Sequence, residues 1–317
     1  MLIADNFLYI ILKGVFAVTD KDLAIYNNLK IQIDKLYRHI NQLSINSRPA
    51  YKSAFLRLCK HVAKEFKVQN IRNINDKHVY SYISDKIDDA CTASYLKSEM
   101  SGIRFIYDQI GDARYRLKTN NDELGIPERD NIKDRTWTDS EVKNMLKIAL
   151  VEKRYDVYFS IALSKALGTR LHECFRMTHP MARKALKQGF LRIKGKGGLI
   201  RNIPLTDQAR NVLRQFISYK GRGNSRILND GDKKTHLCMA AVQRFIAKHR
   251  STDGTITHHG LRHTYAVDLY NRQLEYYLSR GLSTDKAKAR AFQDVNVALG
   301  HGKDRKDVTR RYLCSVL

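Results

Sequence analysis

Residues 257–270, THHGLRHTYAVDLY, gather His258, His259 and His263 around Arg262 within a turn and a half of predicted helix. Three imidazoles and a guanidinium packed so closely repel one another when charged, so the cluster needs a reason. Three chemistries fit: a metal site, a nucleic-acid contact, or a clamp for one anionic group. For a metal, His259 and His263 stand at i and i+4, but no Glu follows the first His and no third ligand is evident. The metal reading is therefore set aside. Other residues able to hold a phosphate are spaced along the chain. Arg170 follows Gly168 in ALGTRLHECF, at a predicted helix start whose free amides favour anions. Glu173 lies three residues on, the same-face distance for a carboxylate that orients this guanidinium. Lys196 sits between Gly195 and Gly197, where a long ammonium can reach across a groove; Lys194 is its rival. His301 follows VALG where a helix should end, and Tyr312 closes the series in DVTRRYL.

These side chains need elements to position them. The one β signal is GFLRIKGKGGLIRNIPL, two runs over 190–194 and 199–205 around a glycine-rich turn, read as a hairpin. Elsewhere the periodicity is helical. YKSAFLRLCKHVAKEF places Phe55, Leu58, Val62 and Phe66 on one face. KHVYSYISDKI follows, and TASYLKSEMSGIRFIYDQIG is read as a helix closed by Gly111. NDELGIPERDNIKDR breaks the pattern, and Thr138 with Glu141 forms a capping box that restarts it. The boundaries read as an N-terminal extension over 1–34, a helical domain over 35–125, a linker over 126–136 and a second domain over 137–317.

Composition narrows the partners. Lys and Arg number 57 against 32 Asp and Glu, a net charge of +25 in 317 residues, which asks for a polyanion. The window 180–250 holds 17 basic residues against three acids, Asp207, Asp230 and Asp232, as expected of a face for a phosphate backbone. The five cysteines form no CxxC pair, so neither a zinc knuckle nor a disulfide framework is indicated, and they read as reduced cytoplasmic thiols. The apolar start MLIADNFLYIILKGVFAV is interrupted by Asp5 and Lys13, which argues against a signal peptide or a membrane span and for a buried or partner-docked helix. The final CSVL matches a prenylation box without a second anchoring signal beside it. No membrane partner is expected.

Taken in order, these elements resemble the tyrosine recombinases, the family of phage-type integrases and of the Xer and Cre resolvases. Those catalytic domains carry an Arg in a G-x-R-x-x-E segment, a Lys on a hairpin, an H-x-x-R-H box, an L-G-H segment and a nucleophilic Tyr near the end. Arg170 with Glu173, Lys196, His259 with Arg262, Leu299–His301 and Tyr312 follow that order over roughly 137–313. The resemblance implies a mainly α chain with one small β-hairpin (α+β), in which a SAM-like core-binding domain precedes the catalytic domain. It implies site-specific DNA strand cleavage and rejoining through a 3′-phosphotyrosyl bond, with no metal, ATP or other cofactor. A tyrosine hydroxyl with pKa near 10 is only ~0.1% ionised at neutral pH, a handicap of ~4 kcal/mol that the site must offset. Carried over residue by residue, Arg170 and Arg262 clamp the non-bridging phosphate oxygens, and His259 and His301 bond the phosphate and assist proton transfer. Lys196 protonates the leaving 5′ oxygen, Tyr312 attacks, and Glu173 supports Arg170. Arg192, Lys194, Arg201 and His263 are expected to contact DNA, with His263 packing behind the clamp and His258 peripheral.

The implied partners are double-stranded DNA with a specific site, a homotetramer on two such sites, and accessory DNA-bending or directionality factors, in the cytoplasm on the nucleoid. The chain departs from the family pattern between Arg262 and His301, where NRQLEYYLSRGLSTDKAKAR lengthens it, and in having five residues after Tyr312. Docking between protomers is therefore expected to be absent or to use another segment, 271–290 first. The sequence leaves two alternatives. A type IB topoisomerase shares the chemistry without site choice, and a non-catalytic DNA-binding protein would keep the charge and lose active-site members. A relaxase is disfavoured because paired metal-binding histidines around one apolar residue are missing.

Overall fold

The computed structural model describes residues 19–44, 47–128, 134–195, 199–219, 226–229, 233–251, 254, 256–301 and 306–317. The chain divides into two compact units, Met1–Asn131 and Ile132–Leu317, each with its own hydrophobic core.

Among its described residues the first unit has helices and no strand: α1 (Asp20–Arg38), α2 (Ser47–Phe66), α3 (Asp76–Asp88) and α4 (Ala93–Tyr107), with a single 3₁₀ turn at Ile71–Asn73. Helix α1 crosses the expected limit of an extension at residue 34. Thr19 and Asp22 form its capping box, and Ile25, Leu29, Ile33 and Tyr37 bury one stripe in the unit's core. That stripe has one apolar residue per turn, narrower than the usual amphipathic face, which is why the periodicity is faint in sequence. Helix α4 ends at Tyr107, before the expected stop at Gly111; the next turns close through Asp108, Gln109 and Ile110 amides. A buried carboxylate ties three helices: Glu99 accepts from Arg57 Nε and Nη2 at 2.7 Å each and from the Tyr82 hydroxyl at 2.7 Å.

The second unit is built on α6 (Tyr155–Leu167), which buries residues on every side and takes α5 (Asp139–Val151), α9 (Asp207–Tyr219), α10 (Thr235–His249) and α11 (Gly260–Ser279) against it. The Thr138–Glu141 capping box opens α5. Short α7 (Leu171–Arg176) and α8 (His179–Gln188) lead into an antiparallel hairpin, β1 (Phe190–Lys194) and β2 (Ile200–Pro204), in register Lys194 to Ile200. Helices α11 and α12 (Thr284–Leu299) form an antiparallel pair, and α13 (Lys306–Tyr312) returns across both. The lengthened segment 271–290 thus extends two helices rather than forming a loop. Its side chains divide, Ala287 being fully buried while Tyr276 and Leu278 stay exposed. The apolar stretch read from residues 1–18 lies outside the described residues. Among the described residues no helix is long and apolar enough to cross a membrane.

Candidate active site

Four chain segments meet around Tyr312: the turn between α6 and α7, the start of α11, the end of α12, and α13. The first turn is made possible by Gly168, which closes α6 in the left-handed region at φ 60° and lies against the ring of Tyr265. A Cβ at Gly168 would run into that ring. Arg170 then caps α7, and Glu173 reaches back to accept the Arg170 amide at 2.8 Å. That amide is therefore spent on Glu173 instead of standing open to an anion, as the helix-start reading expected.

The start of α11 is held by groups that the sequence did not single out. Trp137 donates from Nε1 to the Thr257 carbonyl at 2.9 Å and from its amide to Thr264 Oγ1 at 2.8 Å. Gly260 leaves room for the Arg135 carbonyl and the Trp137 ring. His258, expected at the periphery, is instead fully enclosed, with Nε2 3.2 Å from the Ser160 carbonyl of α6. It joins the α11 start to the central helix.

Arg262 is 1% exposed and donates to the carbonyls of Gly168 and Leu299. Those carbonyls precede Arg170 and His301 by two residues each, so one guanidinium ties together the three segments that carry the candidate cations. Burial, with Arg170 close by, lowers its pKa to about 10, so it remains charged at neutral pH. Two of its five donors go to carbonyls and Nε has no protein partner.

Tyr312 is seated in the site of its own chain. Its hydroxyl is 3.1 Å from His259 Nε2, and the rings of His263, His301 and His259 lie 4.3, 5.3 and 5.6 Å from its ring, centre to centre. Burial, followed by the charges of Arg262 and Arg170, lowers the His259 pKa to about 4. The ring is neutral at pH 7 and can accept the phenol proton in a hydrogen bond. His263 is likewise lowered to about 4, first by burial and then by His259. It is 6% exposed and stacked on Tyr312, so its place is behind the phenol and not at a DNA surface.

The hairpin corrects one further expectation. Its faces alternate, with Leu191, Ile193, Arg201 and Ile203 inward and Arg192 and Lys194 outward. Arg201, expected at DNA, is turned into the unit. Its Nη1 and Nη2 donate to both Glu173 oxygens at 2.9 and 2.6 Å. Burial alone would raise the Glu173 pKa, but the Arg201 bonds and charge hold it down to about 2. Arg170 takes the lesser share of Glu173, through Nη1 at 3.3 Å. Lys196, the hairpin-turn lysine, lies outside the described residues. No cluster of three or more His, Cys, Asp or Glu able to hold a metal occurs among the described residues.

With this geometry in view, comparison with known proteins is specific. Residues 135–277 match the family described as "Phage integrase family", and residues 27–116 match "Phage integrase, N-terminal". The chain is 21% identical over 243 residues to the tyrosine recombinase XerD of Haemophilus influenzae, covering 72% of this chain and 80% of that one. Among solved structures, a lambda integrase dimer bound to a COC′ core site superposes with a TM-score of 0.60 at 18% identity, over 90% of this chain and 94% of the other. XerH site-specific recombinase in a post-cleavage complex with palindromic difH substrate gives 0.60 at 15% identity, over 90% and 81%. The protein belongs to the tyrosine recombinases of the phage integrase family. It is a tyrosine site-specific recombinase, an enzyme of DNA strand cleavage and transfer.

Proposed function

We propose that Tyr312 is the nucleophile that opens a DNA phosphodiester, and that Arg170, Lys196, His259, Arg262 and His301 are the groups that make this attack feasible. One observation carries the reading: the Tyr312 hydroxyl lies 3.1 Å from the Nε2 of a histidine that burial keeps neutral, beside a buried guanidinium. The Tyr312 oxygen attacks phosphorus while its proton passes to His259. The bond from phosphorus to the 5′ oxygen breaks, and Lys196 protonates that leaving oxygen to give the 5′ hydroxyl. The 3′-phosphotyrosyl bond stores the ester for reversal by a second 5′ hydroxyl, so no nucleotide or metal is called for. Charge gathering on the non-bridging oxygens is met by Arg170 and Arg262, and loss of one such donor commonly costs about 3–4 kcal/mol of transition-state stabilisation. Glu173 and Arg201 act behind Arg170, while Arg192 and Lys194, outward on β1, address the DNA backbone.

The partner in this reading is a double-stranded site bound by four copies of the chain, with accessory DNA-bending proteins, in the cytoplasm on the nucleoid. The solved neighbours named above are complexes with DNA, which supports DNA as the partner. A plasmid pair distinguishes site-specific exchange from simple relaxation. Recombination between two copies of a cognate site, without relaxation of a plasmid lacking it, is the expected result. Relaxation of both plasmids would make the enzyme topoisomerase-like.

A further inference from the structure

Two buried polar groups lie next to the site and take no part in the attack itself. Thr309, on α13 one turn before Tyr312, is 0% exposed, and Asn296, on α12, is 1% exposed. Thr309 Oγ1 donates to Asn296 Oδ1 at 2.7 Å and stands 2.8 Å from His301 Nδ1. A threonine hydroxyl has one proton to give. Because that proton goes to Asn296, the hydroxyl can only accept from His301, so Nδ1 carries a hydrogen, and it is the only ring hydrogen whenever the imidazole is neutral. Nε2 is then the basic atom of that ring, the one able to hold or return a proton.

We propose that Asn296 and Thr309 are positioning residues that set the tautomer of His301. The proposal rests on the reading of His301 as a participant in strand cleavage. The relay joins α12, the turn after it, and α13, and its middle member shares a seven-residue helix with Tyr312. Thr309 reaches His301 only when α13 is seated, which is also what brings the Tyr312 hydroxyl to His259. Placing the nucleophile and setting the histidine are therefore one event. A copy whose α13 is displaced loses both together.

The test uses the full chain with ¹⁵N-labelled histidine. Two-bond ¹H–¹⁵N spectra assign the tautomer of His301, identified by the resonance set missing in His301→Gln. The Nδ1–H form is expected in the wild type and in Thr309→Ser, with a mixture of tautomers in Thr309→Val. An Nε2–H ring in the wild type, or an unchanged ring in Thr309→Val, overturns the proposal. In parallel, single-turnover adduct formation is followed on nicked duplexes that trap cleavage. Thr309→Val should be slowed about ten- to a hundredfold, below the ~10²–10⁴-fold a general acid or base contributes, and Thr309→Ser should recover most of the rate. Equal rates in all three would overturn the positioning role even with the tautomer as expected. A wild type with the Nδ1–H ring that forms no adduct would instead remove the catalytic reading, and the positioning role with it.

Discussion

Replacing Arg201 by Met separates two accounts of that residue and puts a magnitude on the pair it forms. The Arg201 side chain is 4% exposed and Glu173 1%, and two short hydrogen bonds join them. Met fills much of the same space without charge, so the substitution leaves the Glu173 carboxylate buried, with only the Arg170 amide and its weaker guanidinium contact. Breaking a buried pair in this way costs about 3–5 kcal/mol. For a unit of this size that is about 6–20 °C in melting temperature. Glu173→Gln should cost a similar amount by stranding Arg201, while the double change to two apolar residues should recover most of it, because the desolvation of both charges disappears together. Urea unfolding at neutral pH, read with the slope as well as the midpoint, measures each corner of the cycle. Binding to a random duplex gives the second readout. A side chain on a phosphate contributes close to one unit to the slope of log affinity against log salt, whereas a buried ion pair contributes none. A loss under about 1 kcal/mol, together with a salt slope reduced by about one, would refute the burial of Arg201 and restore it to the DNA face.

Three other expectations follow from the same geometry. His258, His259 and His263 are each held down to about 4, chiefly by burial, against an unfolded value near 6.5. The unfolded chain therefore binds more protons between these values, and stability is full above pH 6.5 and falls as pH drops towards 4, by about 3 kcal/mol for each such histidine; a urea midpoint that stays flat from pH 7.5 to 4.5 would contradict this. Gly168→Ala combines about 1–2 kcal/mol for a left-handed residue with about 1–3 kcal/mol for crowding Tyr265, and Gly111→Ala, with open space around it, should be near neutral in the same unfolding assay. Removing 272–289 to test protomer docking would also remove the fully buried Ala287, so the cleaner change is Tyr276→Glu with Leu278→Glu, both exposed on α11; a folded monomer that no longer assembles as a tetramer on cognate DNA in native gels is expected, and unchanged assembly would exclude this surface.

How far such features were legible in sequence depended on their range. The hairpin was readable because alternation and a glycine-rich turn are local signals, and the two strands fall within a residue of the expected runs. The Thr138–Glu141 box was local too. The inward face of Arg201 is also a local signal, since it alternates in step with Ile203, but the surrounding cluster of basic residues masks it by pointing to DNA. Helix α1 is faint in sequence because its stripe carries one apolar residue per turn. The enclosure of His258 by Ser160, the Trp137 clamp on α11 and the Asn296–Thr309–His301 relay join positions far apart in the chain, through contacts that have no periodicity to betray them. Side-chain type marked the site, while the packing that orders it became visible only in three dimensions.

The central claim is that Tyr312 attacks DNA, and it can be tested without knowing the target. The protein is incubated in EDTA with a pool of nicked duplexes that trap cleavage, and any covalent protein–DNA species is digested and mapped by mass spectrometry. The account predicts a metal-independent adduct on the peptide bearing Tyr312, absent in Tyr312→Phe while DNA binding persists. An adduct on any other of the 17 tyrosines, or none at all from a protein that binds the duplexes tightly, would contradict it.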